Sequence, residues 1–418
     1  MPELRFIDPA PVFFRAAVTQ LLNEGARRFL FTPATPAALT LARRLLEDAP
    51  DAVAWGDHPE LTPPPMGEAA DAVILFADDG SDLDTLLHGF LDMERGVLVA
   101  PVTNHFRDRR CVFPISPPKA GTHLLLGLLE TLGFSYGGVR PDFPDAKHWY
   151  YLEYSNAHTI ARDFFVDSVR RSPNGMRDHP FVNNPSVMIY RHPWDILVSE
   201  ANYYHKDGKT AFYGYLQGLT FEERLLRLID DPWLLGTARD RLAGFVAWLD
   251  FPSVIPIAFE DLVGPQGGGE SFRQRRNIWA LMLKLHVPGD PEVVQASVFN
   301  PKSPTFNTGR LGRHRDILTE RAWEALRKLP QDVLDAFGYV EDTPFPRRSE
   351  EFLTRVPRYA QTQFAKEPVI MAEDFCGHQI IKAYGSFHAA ALDGTEGTVS
   401  DKDLDVLKIR LATRTAPK

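Results

Sequence analysis

Along the first hundred residues the apolar positions keep changing period. From Val12 to Gly25 they recur at helical spacing, and Phe29-Leu30-Phe31 then forms a short continuous run of the kind a buried strand makes. A second helical stretch follows from Pro36 to about Leu46, then a short strand at Val53-Ala54-Trp55 and a loop marked by Pro63-Pro64-Pro65. Ala72 to Phe76 is apolar throughout, Asp82 to Met93 reads as a helix, and Gly96 to Val102 as a further strand. Strands that alternate with helices predict a parallel sheet covered by helices on both faces.

Arg107-Asp108-Arg109-Arg110 interrupts this rhythm, which then restarts. Cys111 to Ile115 reads as a strand, followed by a Pro-Lys-Gly loop and an apolar helix from Thr122 to Leu132 that Gly133 stops. Ser186 to Tyr190 is a second strand with a helix after Pro193. Residues 221–250 read as helical, with Leu225, Leu226, Leu228 and Ile229 on one face. Val254 to Ala258 reads as a strand and Ser271 to Leu285 as a helix. Residues 301–319 read as an ordered loop rich in Pro, Gly, Thr and Arg, and 341–366 as a Pro- and charge-rich linker. Short strands at Gln379 to Ala383 and Ser386 to Ala391 and a helix from Asp401 complete the pattern. The expected fold is α/β: a small Rossmann-like unit over 1–106, a larger parallel-sheet domain over 107–340, the linker, and a small appendage over 367–418.

Composition narrows the function. The chain has 418 residues, 44% of them hydrophobic and 24% charged, which is ordinary globular usage. A net charge of −9 provides no basic field to attract nucleic acid. The two cysteines, Cys111 and Cys376, form neither a disulfide framework nor a zinc spacing, which fits a reducing compartment. The opening MPELRFIDPAPVFF lacks the basic flank and long apolar run of a signal peptide, and no apolar run reaches the roughly 18 residues a bilayer span needs. The expectation is a soluble cytoplasmic protein.

The chemistry concentrates in two places. In Ser116-Pro117-Pro118-Lys119-Ala120-Gly121-Thr122-His123 a buried strand turns into a helix, whose first N–H groups and positive dipole end attract anions. Gly121 permits close backbone approach, Thr122 adds a hydroxyl donor, and Lys119 adds charge at the loop mouth. A Walker A loop places its Lys directly after the second Gly; here Lys119 precedes Gly121. In Tyr190-Arg191-His192-Pro193-Trp194-Asp195 an apolar strand delivers Arg191 to its C-terminal end, where open parallel sheets bind ligands. Pro193 suits the first helical position, and Ser199 follows within the opening turns, so Arg191 and Ser199 can converge on one anion. The plainer alternative is an Arg that pairs structurally with Asp195.

The order Pro-Lys-x-Gly-Thr, followed by Arg-His-Pro-x-Asp and Ser199, resembles the PAPS-dependent sulfotransferases. There the first loop holds the 5′-phosphosulfate of 3′-phosphoadenosine-5′-phosphosulfate (PAPS) and the second element the 3′-phosphate. Two further segments match in order: Phe259-Glu260-Asp261-Leu262, and Gly309-Arg310-Leu311-Gly312, which is similar to the family's closing loop. The resemblance covers about residues 111–340. It implies donor contacts from Lys119, Ala120, Gly121, Thr122, His123, Arg191, Ser199, Gly309, Arg310 and Gly312, with no metal. It also implies an acceptor, which the residues do not name: a glycan, glycolipid or small molecule. Asn307-Thr308 stand where Arg-Lys is usual, and Leu124 where many relatives have a Trp that stacks on adenine.

Lys119 and a base carry the implied transfer. His158 is the first choice for the base, because it follows the aromatic strand-like stretch Trp149 to Tyr154; His179 and Glu153 are the alternatives. The competing functions are a P-loop kinase acting on a small molecule or sugar, and a sulfotransferase-like binding protein that has lost catalysis. In the N-terminal unit, Thr32-Pro33-Ala34-Thr35-Pro36 stands where a dinucleotide-binding fold places its glycines, and this sequence has none there.

Overall fold

The computed structural model describes residues 1–7, 11–76, 83–101, 111–136, 150–151, 184–232, 236–298, 310–317, 319–329, 331–340, 343–359, 369–383, 386–392, 399–401 and 403–415. It is α/β, with two five-stranded parallel sheets flanked by helices and a small antiparallel sheet near the C-terminus.

The first sheet contains β1 (Glu3–Ile7), β2 (Arg28–Thr32), β3 (Val53–Trp55), β4 (Ala72–Leu75) and β5 (Val97–Pro101), in the order β1-β5-β4-β2-β3. Helices α1 (Pro11–Asn23) and α2 (Pro36–Asp48) pack on one face through Phe14, Val18, Leu41 and Leu45 against Phe29, Phe31 and Ile74. Helix α3 (Leu83–His88) faces the other way. β1 was not expected from the sequence. It is an edge strand whose exposure alternates, with Leu4 and Phe6 inward and Glu3 and Arg5 paired at the surface.

The second sheet contains β6 (Cys111–Ile115), β7 (Ser135–Tyr136), β8 (Tyr150–Tyr151), β9 (Ser186–Tyr190) and β10 (Val254–Ala258), in the order β10-β9-β6-β8-β7. Helix α4 (Thr122–Thr131) follows β6 and α5 (Pro193–Ala201) follows β9. Residues 213–249 hold α6 (Tyr213–Gln217), α7 (Phe221–Asp230) and α8 (Ala238–Leu249). The single helical stretch expected over 221–250 is thus two helices. Asp231 leaves the helical conformation, Gly236 takes a positive φ of 81°, and Thr237 opens α8 with a reciprocal cap to Asp240. After β10 come α9 (Phe259–Leu262), α10 (Ser271–Leu285), α11 (Pro291–Val298), α12 (Arg313–Ile317), α13 (Glu320–Arg327), α14 (Gln331–Phe337) and α15 (Ser349–Thr354).

Strand alternation distributes the core. Phe113, Ile115, Met188 and Tyr190 face α5, α7 and α8. Val112, Val187 and Ile189 face α4 and α10, which share one apolar cluster with Leu4, Phe6, Val73, Leu75 and Leu98 of the first sheet. Two main-chain bonds between Leu4 and Gly289, and the 2.6 Å His286–Asp84 contact, join the same surfaces. The segment expected as a linker is structured over part of its length. Phe352 and Leu353 of α15 are buried, and Arg348 and Arg355 reach Asp250. Its charge is the outer face of a docked helix, which composition alone cannot distinguish from a tether.

The antiparallel sheet orders β11 (Val369–Phe375), β12 (His378–Ala383), β13 (Ser386–Ala391) and β14 (Val399–Asp401), with α16 (Leu404–Thr415) packed on it through Leu407 and Leu411. Among the described residues, no helix is long and apolar enough to cross a membrane.

Candidate functional site

β6 and β9 are parallel neighbours, with Phe113 opposite Ser186 and Ile115 opposite Met188. After β6 the chain goes to β7 and β8 on one side of the sheet; after β9 it goes to β10 on the other. The ends of β6 and β9 therefore flank a topological switch point, where open α/β sheets form a ligand crevice. The Lys119 loop leaves one strand and Arg191 the other.

The loop is wound tightly. Ala120 N–H donates to the Pro117 carbonyl at 3.1 Å, and the Ser116 and Thr122 hydroxyls lie 2.8 Å apart. Lys119 takes a positive φ of 65°, a strained conformation for a non-glycine residue, and Gly121 a φ of 117°. Glycine is required at 121 for space as well. A Cβ there would stand 2.7 Å from Phe259 Cδ2 and 3.0 Å from Ile189 Cδ1. Gly121 is also the N-cap of α4 and provides no side-chain cap, while the first N–H bonds back to its carbonyl come from Leu124 and Leu125. The N–H groups of Thr122 and His123 precede those bonds and so have no intrahelical acceptor. Ala120 is buried and the His123 side chain is exposed.

Lys119 is half-buried, with Nζ 3.1 Å from the centre of the Tyr203 ring. Burial lowers its pKa to about 8; the negative charge of Glu200 opposes that shift, and Lys206 and Lys209 reinforce it. Glu200 is buried at the end of α5, 2.7 Å from Arg241. Tyr203, Lys206 and Glu200 were not singled out in the sequence. Glu200 lies in the last turn of α5, and Tyr203 and Lys206 in a run of turns after it that has neither helical nor strand period.

Arg191 is buried, its guanidinium 4.3 Å from the Phe259 ring centre. Nη2 donates to Asp195 at 3.2 Å and to the Arg310 carbonyl at 2.8 Å, and Nε has no partner among the described residues. The structural pairing with Asp195 is thus present, yet it leaves part of the guanidinium uncommitted. Asp195 also accepts from the Gly312 and His314 amides, both at 3.1 Å, and from His314 Nδ1 at 2.7 Å. Burial works against its charge, but His314 and Arg191 outweigh burial and hold the carboxyl below the usual range. Arg310 therefore contributes its carbonyl here while its side chain is exposed, and the Gly312 amide is directed at Asp195.

Behind Arg191, burial and the nearby His314, Arg315 and Arg191 lower the His192 pKa to about 3, which keeps the imidazole neutral. Its backbone N–H donates to Glu260 at 3.1 Å, and Tyr339 donates to the same carboxylate at 2.5 Å. Burial raises the Glu260 pKa to about 7. Asp261 accepts from Arg273 and Ser349. Both carboxylates are thus engaged within the fold. Ser199 is half-buried on α5. His158, His179, Glu153, Gly309 and Asn307-Thr308 lie outside the described residues. No group of three or more His, Cys, Asp or Glu that could hold a metal ion occurs among the described residues.

No family model and no curated protein matches the chain. Among solved structures it is similar to mouse sulfotransferase SULT7A1 complexed with PAP, at 13% identity and a TM-score of 0.39, over 58% of this chain and 88% of that one. It is also similar to retinol dehydratase in complex with androsterone and inactive cofactor PAP, at 13% identity and a TM-score of 0.31, over 56% and 82%. At such TM-scores, function has to be read from the residues of the crevice.

Proposed function

We propose that the chain is a sulfotransferase that moves a sulfuryl group from PAPS to a hydroxyl or amine of an acceptor, with residues 107–340 as the transferase domain. One observation carries the reading: Phe259 touches both anion-directed elements, packing against Gly121 and lying under Arg191. A donor with two separate anionic ends suits that pair of elements. The residues fit it, since the start of α4 is uncapped and Arg191 Nε is buried without a partner among the described residues.

A bound donor supplies the sulfuryl group: the acceptor atom bonds to sulfur, the bond from sulfur to the 5′-phosphate oxygen breaks, and 3′,5′-diphosphate (PAP) leaves with the electron pair. Thr122 and His123 N–H groups hold the 5′ end, as does the dipole of α4. Lys119 neutralises the charge that grows on the departing oxygen. Arg191, with Ser199, reads the 3′-phosphate by charge-assisted hydrogen bonds. The acceptor proton goes to a base, for which His158, His179 and Glu153 remain the candidates. A P-loop kinase would want an acid at the end of a strand such as β9 to help hold Mg²⁺, and β9 is followed directly by Arg191.

The test is incubation with sulfur-labelled PAPS and fractionated glycans, lipids and metabolites in EDTA. Label moving to an acceptor is the expected result. Transfer that appears only when Mg²⁺ is restored would overturn the metal-free reading.

A further inference from the structure

The turn after α5 places cations together where a chain of net charge −9 would be expected to separate or pair them. Tyr203 N–H donates to the Glu200 carbonyl, Lys206 N–H to Tyr203 and Lys209 N–H to Lys206, at 3.0, 3.1 and 3.2 Å. Bonds of this i to i+3 kind bring side chains three residues apart onto one face. The result is a ring with three ammonium groups around it. Lys119 Nζ lies 3.1 Å from the Tyr203 centroid, Lys209 Nζ 5.6 Å and Lys206 Nζ 5.9 Å.

Tyr203 is half-buried against the core, while Lys206 and Lys209 are exposed. Neither lysine makes an ion pair among the described residues, whereas the arginines of the same domain are extensively paired, as Arg241 with Glu200 and Arg273 with Asp261 show. Glu200, the buried carboxylate whose charge acts on Lys119, is already engaged by Arg241 at 2.7 Å. Three like charges around one ring repel each other, and the attraction of a π face offsets only part of that. An anion would relieve the repulsion.

We propose that Lys206 and Lys209 form an acceptor subsite beside Lys119, and that the acceptor is itself an anion. It would carry a carboxylate, sulfate or phosphate monoester near the hydroxyl or amine it offers. This inference rests on the sulfotransferase reading. Lys119 serves the donor and the two exposed lysines serve the acceptor, with Tyr203 as the platform that spaces them. Electrostatic attraction of this kind weakens with salt, because exposed charges are screened.

Calorimetry on the full chain separates donor binding from acceptor binding. PAP is titrated first; if it does not bind, the sulfotransferase reading fails before the acceptor is considered. The PAP-saturated protein is then titrated with a glucuronate-containing tetrasaccharide, with neutral maltotetraose, and with vesicles of phosphatidylserine or of phosphatidylcholine. The expected result is low-salt binding of an anionic probe and not of its neutral counterpart, weakened at least about tenfold in Lys206→Ala/Lys209→Ala. Whether the sugar acid or the anionic vesicle binds identifies the source of the charge. PAP affinity should stay within about twofold in the double variant, and a circular dichroism spectrum confirms its fold. The proposal is overturned if no anionic probe binds the PAP-saturated protein, if the double substitution leaves that binding unchanged, or if it weakens PAP itself.

Discussion

Each of the two parallel sheets has a topological switch point, and the chemistry at the two is opposite. In the first sheet β2 leads to β3 on one side and β4 to β5 on the other, so a crevice belongs at the ends of β2 and β4, as it does at β6 and β9 in the second. After β2, however, the chain caps its own helix. Thr35 accepts from Ala38 N–H at 3.2 Å, and Pro36 takes a position with no N–H to give. After β6, Gly121 offers no side chain, and the Thr122 and His123 amides have no intrahelical acceptor. Arg191 adds a cation at the neighbouring strand end. On the proposed function, a strand–loop–helix unit serves as an anion site when it omits its own cap, and as a structural joint when it supplies one.

Removing charge beside the ends of β6 and β9 should have the largest effect. Lys119→Ala should lower kcat by about 10²–10³-fold, because the charge it meets grows only as the bond breaks. PAP affinity should change far less. A loss of affinity with kcat intact, measured across a PAPS titration, would contradict the assigned role. Arg191→Ala should act the other way. It should weaken PAP by about 1.5–3 kcal/mol, because the 3′-phosphate carries the same charge throughout the reaction.

A smaller effect follows from pH. Only the protonated Lys119 supplies charge, and burial lowers its pKa to about 8. Hence kcat/KM should be sustained below that pH and fall by about tenfold per unit above it. Bound donor should move the limit upward in kcat, since a neighbouring anion favours the ammonium. A profile for kcat/KM that stays flat to pH 10 would exclude the lysine. The smallest effect is the control on the first sheet. Thr35→Ala should cost about 1 kcal/mol of stability through the lost cap and leave PAP binding untouched, as thermal melts with and without PAP would show.

The site was more legible in the sequence than its surroundings. Lys119, Gly121 and Arg191 could be read because each stands at a strand end, where an apolar run meets a turn, and the structure brings those ends together. Asp195 was visible only as a possible partner of Arg191. Its hold on His314 spans the chain from α5 to α12 and has no local signal. Tyr203, Lys206 and Lys209 were missed because their three-residue spacing belongs to a run of turns. Short helices such as α13 and α14 were missed for a related reason. Two turns leave few apolar positions to count, and here only Ala322, Ala325 and Leu326, or Val333, Leu334 and Phe337, are buried.

If the crevice reads two anionic ends of one nucleotide, it must distinguish PAP from AMP. Calorimetry on the wild type and on Arg191→Ala isolates the 3′-phosphate. The wild type should bind PAP at least about tenfold more tightly than AMP, and Arg191→Ala should remove most of that preference. Equal affinities for the two nucleotides in the wild type would contradict it.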